Sequence, residues 1–218
     1  MKKKLLIFDL DGTLVNTLAD LNKATNVGLT KYGYPTRTLE QTRTDIGNGV
    51  KVLIERSIPG GKSNKDYQDV FLTFKDYYIH HLYDATFPYE NVKNTLQILK
   101  KNGYLLAVVS NKFNEGANEM VKHFCPNLFD YIQGSVDYLN NKPSSDLVNK
   151  VLNELNVSNI DSLYIGDTEV DYQTAVNSNM DVVLVSYGYR TIEQLKERIK
   201  NPPMIISSID GLIDLLSD

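Results

Sequence analysis

The chain has 218 residues, with 27 acidic and 23 basic side chains and a formal net charge of −4. This length allows one or two domains with a sizeable hydrophobic core. The negative charge argues against a broad surface for nucleic acid or anionic membrane, and only a local basic pocket is compatible with it. The one cysteine, Cys125, excludes an intrachain disulfide and favours a reducing compartment.

The first residues combine three lysines with the apolar run Leu-Leu-Ile-Phe, as a signal peptide does. The apolar run stops at Asp9, however, and is too short for a signal-peptide core of about 7–15 residues. No stretch of the sequence approaches the roughly 20 apolar residues of a membrane span. We therefore expect a soluble, cytoplasmic protein.

The apolar run at residues 5–8 predicts a strand buried on both faces, as the strands of a parallel sheet are. Asp9 and Asp11 follow it directly, and Gly12 ends the segment. Because reactive groups collect at the carboxyl ends of such strands, both carboxylates should face a cleft. Carboxylates about 4 Å apart repel by roughly 4 kcal/mol at an effective dielectric near 20, which favours a hard cation between them. A solvated Asp-Gly turn is the alternative for this segment.

The next part of the chain contains helical patterns and no convincing strand. The patterns cover residues 18–32, 39–45, 50–57 and 66–83, with a turn predicted at 59–61. An all-helical insertion after the first strand predicts a separate lid over residues 16–86. The core domain then consists of residues 1–15 together with 87–218.

The second half alternates strand and helix patterns. Strands are predicted at residues 104–109, 131–132, 163–165, 182–185 and 204–206, and helices at 91–102, 115–124, 144–155 (capped by serine), 169–177, 191–200 and the end of the chain. This alternation predicts an α/β fold: a doubly wound, Rossmann-like parallel sheet with helices on both faces and an inserted α-helical cap domain.

Three further polar motifs follow predicted strands of this sheet. Ser110 and Asn111 offer a hydroxyl and an amide that can hydrogen-bond a phosphoryl oxygen. Lys142 supplies a compact cation, and Asp167 and Asp171 lie one helical turn apart. Each motif alone is compatible with a helix cap or a surface charge. Their succession, each after its own strand, favours one common site.

These motifs, in this order, resemble those of the haloacid dehalogenase-like hydrolase superfamily. Asp9-Leu10-Asp11-Gly12-Thr13 matches its first motif, Ser110 the second, Lys142 the third, and Gly166-Asp167 through Asp171 the fourth. The helical insertion resembles the type 1 cap of the family. Three segments are similar to the phosphoglycolate phosphatase branch, namely Ile46-Gly47-Asn48-Gly49, Ser110-Asn111-Lys112 and Gly188-Tyr189-Arg190. The chain departs from the usual pattern at Asn16 and at Ser178-Asn179, where relatives often carry Asp and Ala-Gly.

The resemblance implies phosphoryl transfer through a covalent aspartyl-phosphate. Asp9 is then the nucleophile, while Asp11 is protonated at the start, protonates the leaving oxygen and afterwards activates water. Mg²⁺ is expected on the Asp9 carboxylate, the Asp11 backbone carbonyl and Asp167, with Asp171 supporting the site by orienting a water or Lys142.

The same resemblance implies the substrate contacts. In the core domain, charge on the phosphoryl group should be stabilised by Ser110, Lys142, Gly12, Thr13 and Asn111. In the cap, Gly47, Asn48 and Gly49 could offer backbone amides to a substrate anion, and Arg43 or Lys51 could add charge. A flexible turn on a solvated helix pair is the alternative for this cap segment.

We therefore expect a phosphoric monoester hydrolase for a small phosphorylated metabolite, with 2-phosphoglycolate as the first candidate. A sugar phosphomutase resembling β-phosphoglucomutase, or a nucleotide or pyrophosphate phosphatase, is the alternative within the superfamily. A binding or regulatory module without turnover is the third possibility. We expect a monomer or weak homodimer, with no nucleic-acid or membrane partner.

Overall fold

The computed structural model of the protein describes residues 3–137 and 139–217. These residues divide into two units: Asn16–Phe87 form one, and the described residues before and after this segment form the other. Within the described part of the chain, no helix is long and apolar enough to cross a membrane.

A parallel sheet is the framework of the first unit, which consists of the described residues before and after Asn16–Phe87. The strands of the protein are, in chain order, β1 (Leu5–Phe8), β2 (Val15–Asn16), β3 (Phe87–Pro88), β4 (Leu105–Phe113), β5 (Tyr131–Ser135), β6 (Ser162–Gly166), β7 (Asp181–Val185) and β8 (Met204–Ile206). Six of them form one sheet in the order β5-β4-β1-β6-β7-β8, and every neighbouring pair is parallel. The short strands β2 and β3 form a separate two-stranded sheet.

The order of the strands places a switch point at the middle of the sheet. The chain first builds outward from β1 through β4 to β5, and then returns to the other side of β1 to add β6, β7 and β8. Such a reversal opens a crevice at the carboxyl ends of the central strands. The predicted doubly wound α/β fold is therefore confirmed, and the crevice follows β1.

Helices cover the sheet and explain why its central strands are apolar throughout. The α-helices are α1 (Leu18–Lys31), α2 (Leu39–Asp45), α3 (Val50–Ser57), α4 (Tyr67–His80), α5 (Val92–Lys101), α6 (Asn114–Phe124), α7 (Asp146–Leu155), α8 (Glu169–Asn177), α9 (Ile192–Arg198) and α10 (Gly211–Leu215). All four residues of β1 are fully buried. Leu5 and Ile7 pack in one cluster with Val148 of α7 and Ala175 of α8 on one face. Leu6 and Phe8, on the opposite face, are equally buried, so both faces of the strand are removed from water.

Two details of the core differ from the sequence prediction. Strand β4 continues to Phe113, four residues beyond the predicted end, and its pairing with β5 is irregular between Val109 and Phe113. Helix α7 begins at Asp146, two residues after the predicted start, and the serine Ser145 occupies its N-cap position without a capping side-chain bond. The Ser144 hydroxyl contacts the first helical residue instead: it donates to the Asp146 carboxylate at 2.9 Å and accepts from the Asp146 N–H at 3.3 Å.

The second unit, Asn16–Phe87, contains α1 to α4 and one short 3₁₀-helix at Gly61–Ser63. Helices α2 and α3 have the predicted bounds, and a capping box between Thr38 and Gln41 explains where α2 begins. Helix α4 ends at His80, three residues before the predicted end. The segment after α4 is fixed by a contact with another helix, since the backbone N–H of Ala85 donates a hydrogen bond to the carboxylate of Asp20 on α1, at 3.0 Å.

Candidate active site

The acidic motif after β1 turns sharply against the sheet. The Asp9 N–H still donates to the carbonyl of Ile165 on β6, at 2.9 Å, and so keeps Asp9 at the strand end. Gly12 has a φ of +92°, and a Cβ atom there would lie 2.3 Å from Asp167 Oδ2. Only glycine accepts this conformation and this close approach together. The turn therefore brings the first and fourth motifs into contact.

Lys142 joins two of the predicted carboxylates. Its Nζ lies 2.7 Å from Asp9 Oδ1 and 2.7 Å from Asp171 Oδ1, and all three side chains are buried. Burial alone would lower the pKa of Lys142, but the two carboxylates outweigh it and raise that pKa well above its ordinary value. The ammonium group therefore stays charged and holds one oxygen of Asp9 in place.

Asp171 uses its second oxygen to fix the turn that carries Asp167. Asp171 Oδ2 accepts hydrogen bonds from the N–H of Asp167 at 3.3 Å and from the N–H and hydroxyl of Thr168 at 3.1 and 2.8 Å. These bonds form the N-terminal cap of α8. Asp171 thus orients Lys142 with one oxygen and the Asp167 turn with the other.

Asp167 is fully buried and is held from two directions. The Thr13 hydroxyl donates to Asp167 Oδ1 at 3.2 Å, and the Tyr189 N–H donates to Oδ2 at 2.8 Å. The loop after β7 reaches Asp167 only because residue 188 is glycine, since a Cβ there would lie 2.4 Å from the Gly12 carbonyl oxygen. The Thr13 hydroxyl thus holds Asp167, and the predicted contact of Thr13 with a substrate stays a prediction.

The carboxylates of this site fit a divalent cation. Asp9, Asp167 and Asp171 each offer an oxygen, and the three oxygens lie within 4.8 Å of one another. Burial, followed by the neighbouring carboxylates, raises the pKa of Asp167 well above its ordinary value. Burial likewise raises the pKa of Asp9, to about 7, although Lys142 opposes the shift. Hard oxygen donors are the ligands that a Mg²⁺-like ion prefers, and a cation bound here would favour the ionised forms of these carboxyl groups.

The end of β4 carries the second motif, whose Asn111 contacts the third motif. Asn111 Oδ1 accepts from the Lys142 N–H at 2.7 Å, and Asn111 Nδ2 donates to the Lys142 carbonyl at 3.0 Å. The Asn111 side chain therefore holds the backbone of Lys142 with its oxygen and its amide nitrogen, and the contact of Asn111 with a phosphoryl oxygen stays a prediction. The Ser110 hydroxyl oxygen accepts from the Lys112 N–H at 3.2 Å, which leaves its O–H available to donate.

Two buried side chains at the site received no role from the sequence. Tyr164 of β6 places its ring under Lys142, with Nζ 5.9 Å from the ring centroid, and its hydroxyl lies 3.4 Å from Asp171 Oδ1. A tyrosine inside an apolar strand is typical of a core residue, so no pattern marked it. Lys112 follows Ser110-Asn111, and its Nζ lies 3.2 Å from Asp11 Oδ1. Its position two residues after Ser110 on the same strand was the available signal.

The five cap residues with predicted substrate contacts lie in or beside the segment between α2 and α3. Gly47 and Gly49 have positive φ angles of 122° and 85°, while Asn48 accepts a hydrogen bond from the Arg56 guanidinium at 3.0 Å. Arg56 also donates to the carbonyl of Asp45 at 2.9 Å, so this guanidinium ties both ends of the turn. The remaining two flank it: Arg43 lies on α2 and Lys51 on α3. Their contact with a substrate stays a prediction.

Comparison with known proteins places this site in a family context. The profile described as haloacid dehalogenase-like hydrolase matches residues 6–185. The chain is 30% identical to the phosphoglycolate phosphatase of Aliivibrio fischeri, over 98% of this chain and 96% of that protein. It is 32% identical to the phosphoglycolate phosphatase of Haemophilus influenzae, over 98% of both chains. Among solved structures, one from Lactobacillus delbrueckii subsp. bulgaricus superposes with a TM-score of 0.92, at 31% identity over 99% of both chains.

Proposed function

Because the chain belongs to the haloacid dehalogenase-like hydrolase family, we propose that it is a Mg²⁺-dependent phosphatase for a small phosphorylated metabolite. The observation that carries the proposal is the buried set of Asp9, Lys142, Asp171 and Asp167 at the carboxyl edge of the sheet. Such an arrangement joins a carboxylate nucleophile, a fixed cation and oxygen ligands for a metal in one place.

Asp9 is the group that accepts the phosphoryl group in this proposal. Lys142 holds its Oδ1, and its Oδ2 is the oxygen that attacks phosphorus in this proposal. A Mg²⁺ ion held by Asp9, Asp167 and the Asp11 backbone carbonyl would neutralise charge on the phosphoryl oxygens. The Lys142 ammonium and the Ser110 hydroxyl supply further stabilisation of that charge from the protein itself.

Asp11 carries the proton in both halves of the reaction. In the first half, the bond between phosphorus and the leaving oxygen breaks while Asp11 protonates that oxygen. In the second half, Asp11 takes a proton from water as the water oxygen attacks the aspartyl-phosphate and releases Asp9. The balanced result is one molecule of alcohol and one of inorganic phosphate for each ester and water consumed.

The substrate proposal rests on the relatives. Curated relatives that cover nearly the whole chain are named phosphoglycolate phosphatase, so 2-phosphoglycolate is the first candidate.

The single cysteine, buried and with its pKa raised to about 11 by that burial, is consistent with a cytoplasmic location and no thiol chemistry. We propose a monomer or weak homodimer as the working state.

A phosphate-release screen tests this function. Purified protein is incubated with Mg²⁺ and a panel containing 2-phosphoglycolate, sugar phosphates, nucleotides, pyrophosphate and 4-nitrophenyl phosphate, and free phosphate is measured. We expect release that EDTA abolishes and that Asp9→Asn lowers by about 10³-fold or more, as loss of a covalent nucleophile does. Isomer formation that needs a bisphosphate activator would identify a mutase, and no release from any compound would contradict the proposal.

A further inference from the structure

We infer that Lys112 is a positioning residue for the proton-transferring carboxyl of Asp11. This inference deepens the proposed function and rests on it. Lys112 belongs to a segment that resembles one branch of the family, but no role follows from that resemblance. The position of the Lys112 side chain in the structure, beside Asp11, indicates a role.

Lys112 is buried where a lysine is costly to bury. Its side chain is 1% exposed, and its Nζ lies 3.2 Å from Asp11 Oδ1. A buried ammonium group is stable in a protein only with a charged or strongly polar partner. The Asp11 carboxylate is more open, with 16% of its side chain exposed. The pair thus joins an immobile cation inside the protein to a carboxylate at the edge of the crevice.

The irregular end of β4 directs Lys112 to this position. Regular pairing of β4 with β5 is interrupted between Val109 and Phe113, and the N–H of Lys112 donates to the Ser110 hydroxyl oxygen at 3.2 Å. Irregularities of this kind re-aim side chains near active sites. The same short segment therefore presents Ser110 to the phosphoryl group, Asn111 to the Lys142 backbone and Lys112 to Asp11.

The contact makes the two oxygens of Asp11 unequal. Lys112 engages Oδ1 at 3.2 Å, and Oδ2 is the oxygen that we assign to proton transfer. An anchored Oδ1 limits rotation of the carboxyl group, and so keeps Oδ2 facing the crevice as the atom that carries the proton. Oδ2 gives its proton to the leaving oxygen as the phosphorus–oxygen bond breaks, and regains one from water in the second half-reaction.

Leaving-group dependence separates this role from a purely structural one. A 4-nitrophenolate leaves without protonation, whereas the alkoxide of 2-phosphoglycolate needs a proton in the transition state. A misplaced Asp11 should therefore lower kcat/KM, which reports the first half-reaction, far more for the alkyl ester than for the aryl ester, whereas hydrolysis of the aspartyl-phosphate is common to both. A general loss of folding or of metal binding would slow both esters by the same factor.

The test uses Lys112→Met, which keeps the length and removes the charge, and Lys112→Arg, which keeps a cation. For Lys112→Met we expect kcat/KM for 2-phosphoglycolate, which reports transfer from the ester, to fall by about 10–100-fold, part of the 10²–10⁴-fold that a general acid supplies. Over the same comparison kcat/KM for 4-nitrophenyl phosphate falls less than about 5-fold, and Lys112→Arg recovers most of the loss. Lys100→Met is the matched control, because Lys100 pairs with Asp130 at 2.5 Å on another part of the same unit.

Each outcome bears on the inference. Equal losses of kcat/KM with both esters, or no loss with either, would overturn it. A Lys112→Met change that still lowers kcat/KM selectively for the alkyl ester in an Asp11→Asn background would overturn it as well. Should Lys112→Met fail to fold, Lys112→Gln replaces it, with thermal unfolding as the check. Wild-type protein that releases phosphate from neither ester refutes the proposed function itself, and is thereby distinguished from a failure of the Lys112 role alone.

Discussion

Replacing the proposed nucleophile should make the metal-free protein more stable. Asp9 is buried beside Asp171 and Asp11, and burial is the largest cause that raises its pKa from 3.8 to about 7. The folded carboxyl therefore keeps its proton up to about pH 7, whereas the unfolded one loses it near pH 4. Stability from this group is full below pH 4 and is lost as the pH rises through 7.

The size of the effect follows from the same two values. A pKa that moves from 3.8 to about 7 corresponds to about 4 kcal/mol of unfolding free energy at pH 8, since a tenfold change in acidity is about 1.4 kcal/mol. Relaxation around the charge reduces this, so we expect Asp9→Asn to stabilise the EDTA-treated protein by about 2–4 kcal/mol at pH 8. For a chain of this size the gain is roughly 5–15 °C in Tm. Lys142 keeps Asp171 as its partner in the variant.

Urea or thermal unfolding at pH 5 and pH 8, with and without Mg²⁺, measures this effect. The gain should fall to less than half at pH 5, where the wild-type carboxyl is protonated, and should shrink when Mg²⁺ is added. Asp161→Asn is the control, because hydrogen bonds from Lys4 and Ser158 lower the pKa of that carboxyl and its loss should not stabilise. An Asp9→Asn protein that is no more stable than wild type at pH 8 would refute the reasoning.

Three further predictions follow from the site. Raising the Mg²⁺ concentration should move the acidic limb of the pH profile of kcat/KM to lower pH, because a cation lowers the raised pKa values of Asp9 and Asp167. An acidic limb that does not move would argue against direct binding of the cation by these carboxylates. Gly12→Ala should lower kcat by about 100-fold or more, since its Cβ would lie 2.3 Å from Asp167 Oδ2, and near-normal turnover would show that the turn is not held as described. Asn111→Ala should lower kcat by about 10-fold and stability by about 1–3 kcal/mol, because two bonds to Lys142 are lost; a change confined to KM would indicate a substrate contact instead.

Much of the architecture was accessible from patterns in the sequence. Unbroken apolar runs gave the buried strands, and the helix after Asp167 has the predicted bounds, Glu169–Asn177. The convergence of the polar motifs could also be predicted, because the carboxyl ends of parallel strands meet at one edge of a sheet. These features follow from local periodicity and from one topological rule.

Contacts between distant segments could not be predicted in this way. The Tyr189 N–H reaches Asp167 across 22 residues of sequence, through a loop whose approach depends on Gly188. Thr13 and Asn111 carry groups suited to a phosphoryl oxygen, yet the fold uses them to hold Asp167 and Lys142. A hydrogen-bonding side chain within a motif predicts that a hydrogen bond is formed, but tertiary packing decides which group is its partner.

The stereochemical course at phosphorus tests the central claim most directly. A thiophosphate monoester made chiral by oxygen isotopes is hydrolysed by the wild-type protein in isotopically labelled water, and the configuration of the released thiophosphate is determined. Transfer to Asp9 followed by transfer to water consists of two in-line displacements, each of which inverts phosphorus, so the account predicts net retention. Net inversion would mean that water attacks the ester directly and would contradict a phosphorylated Asp9.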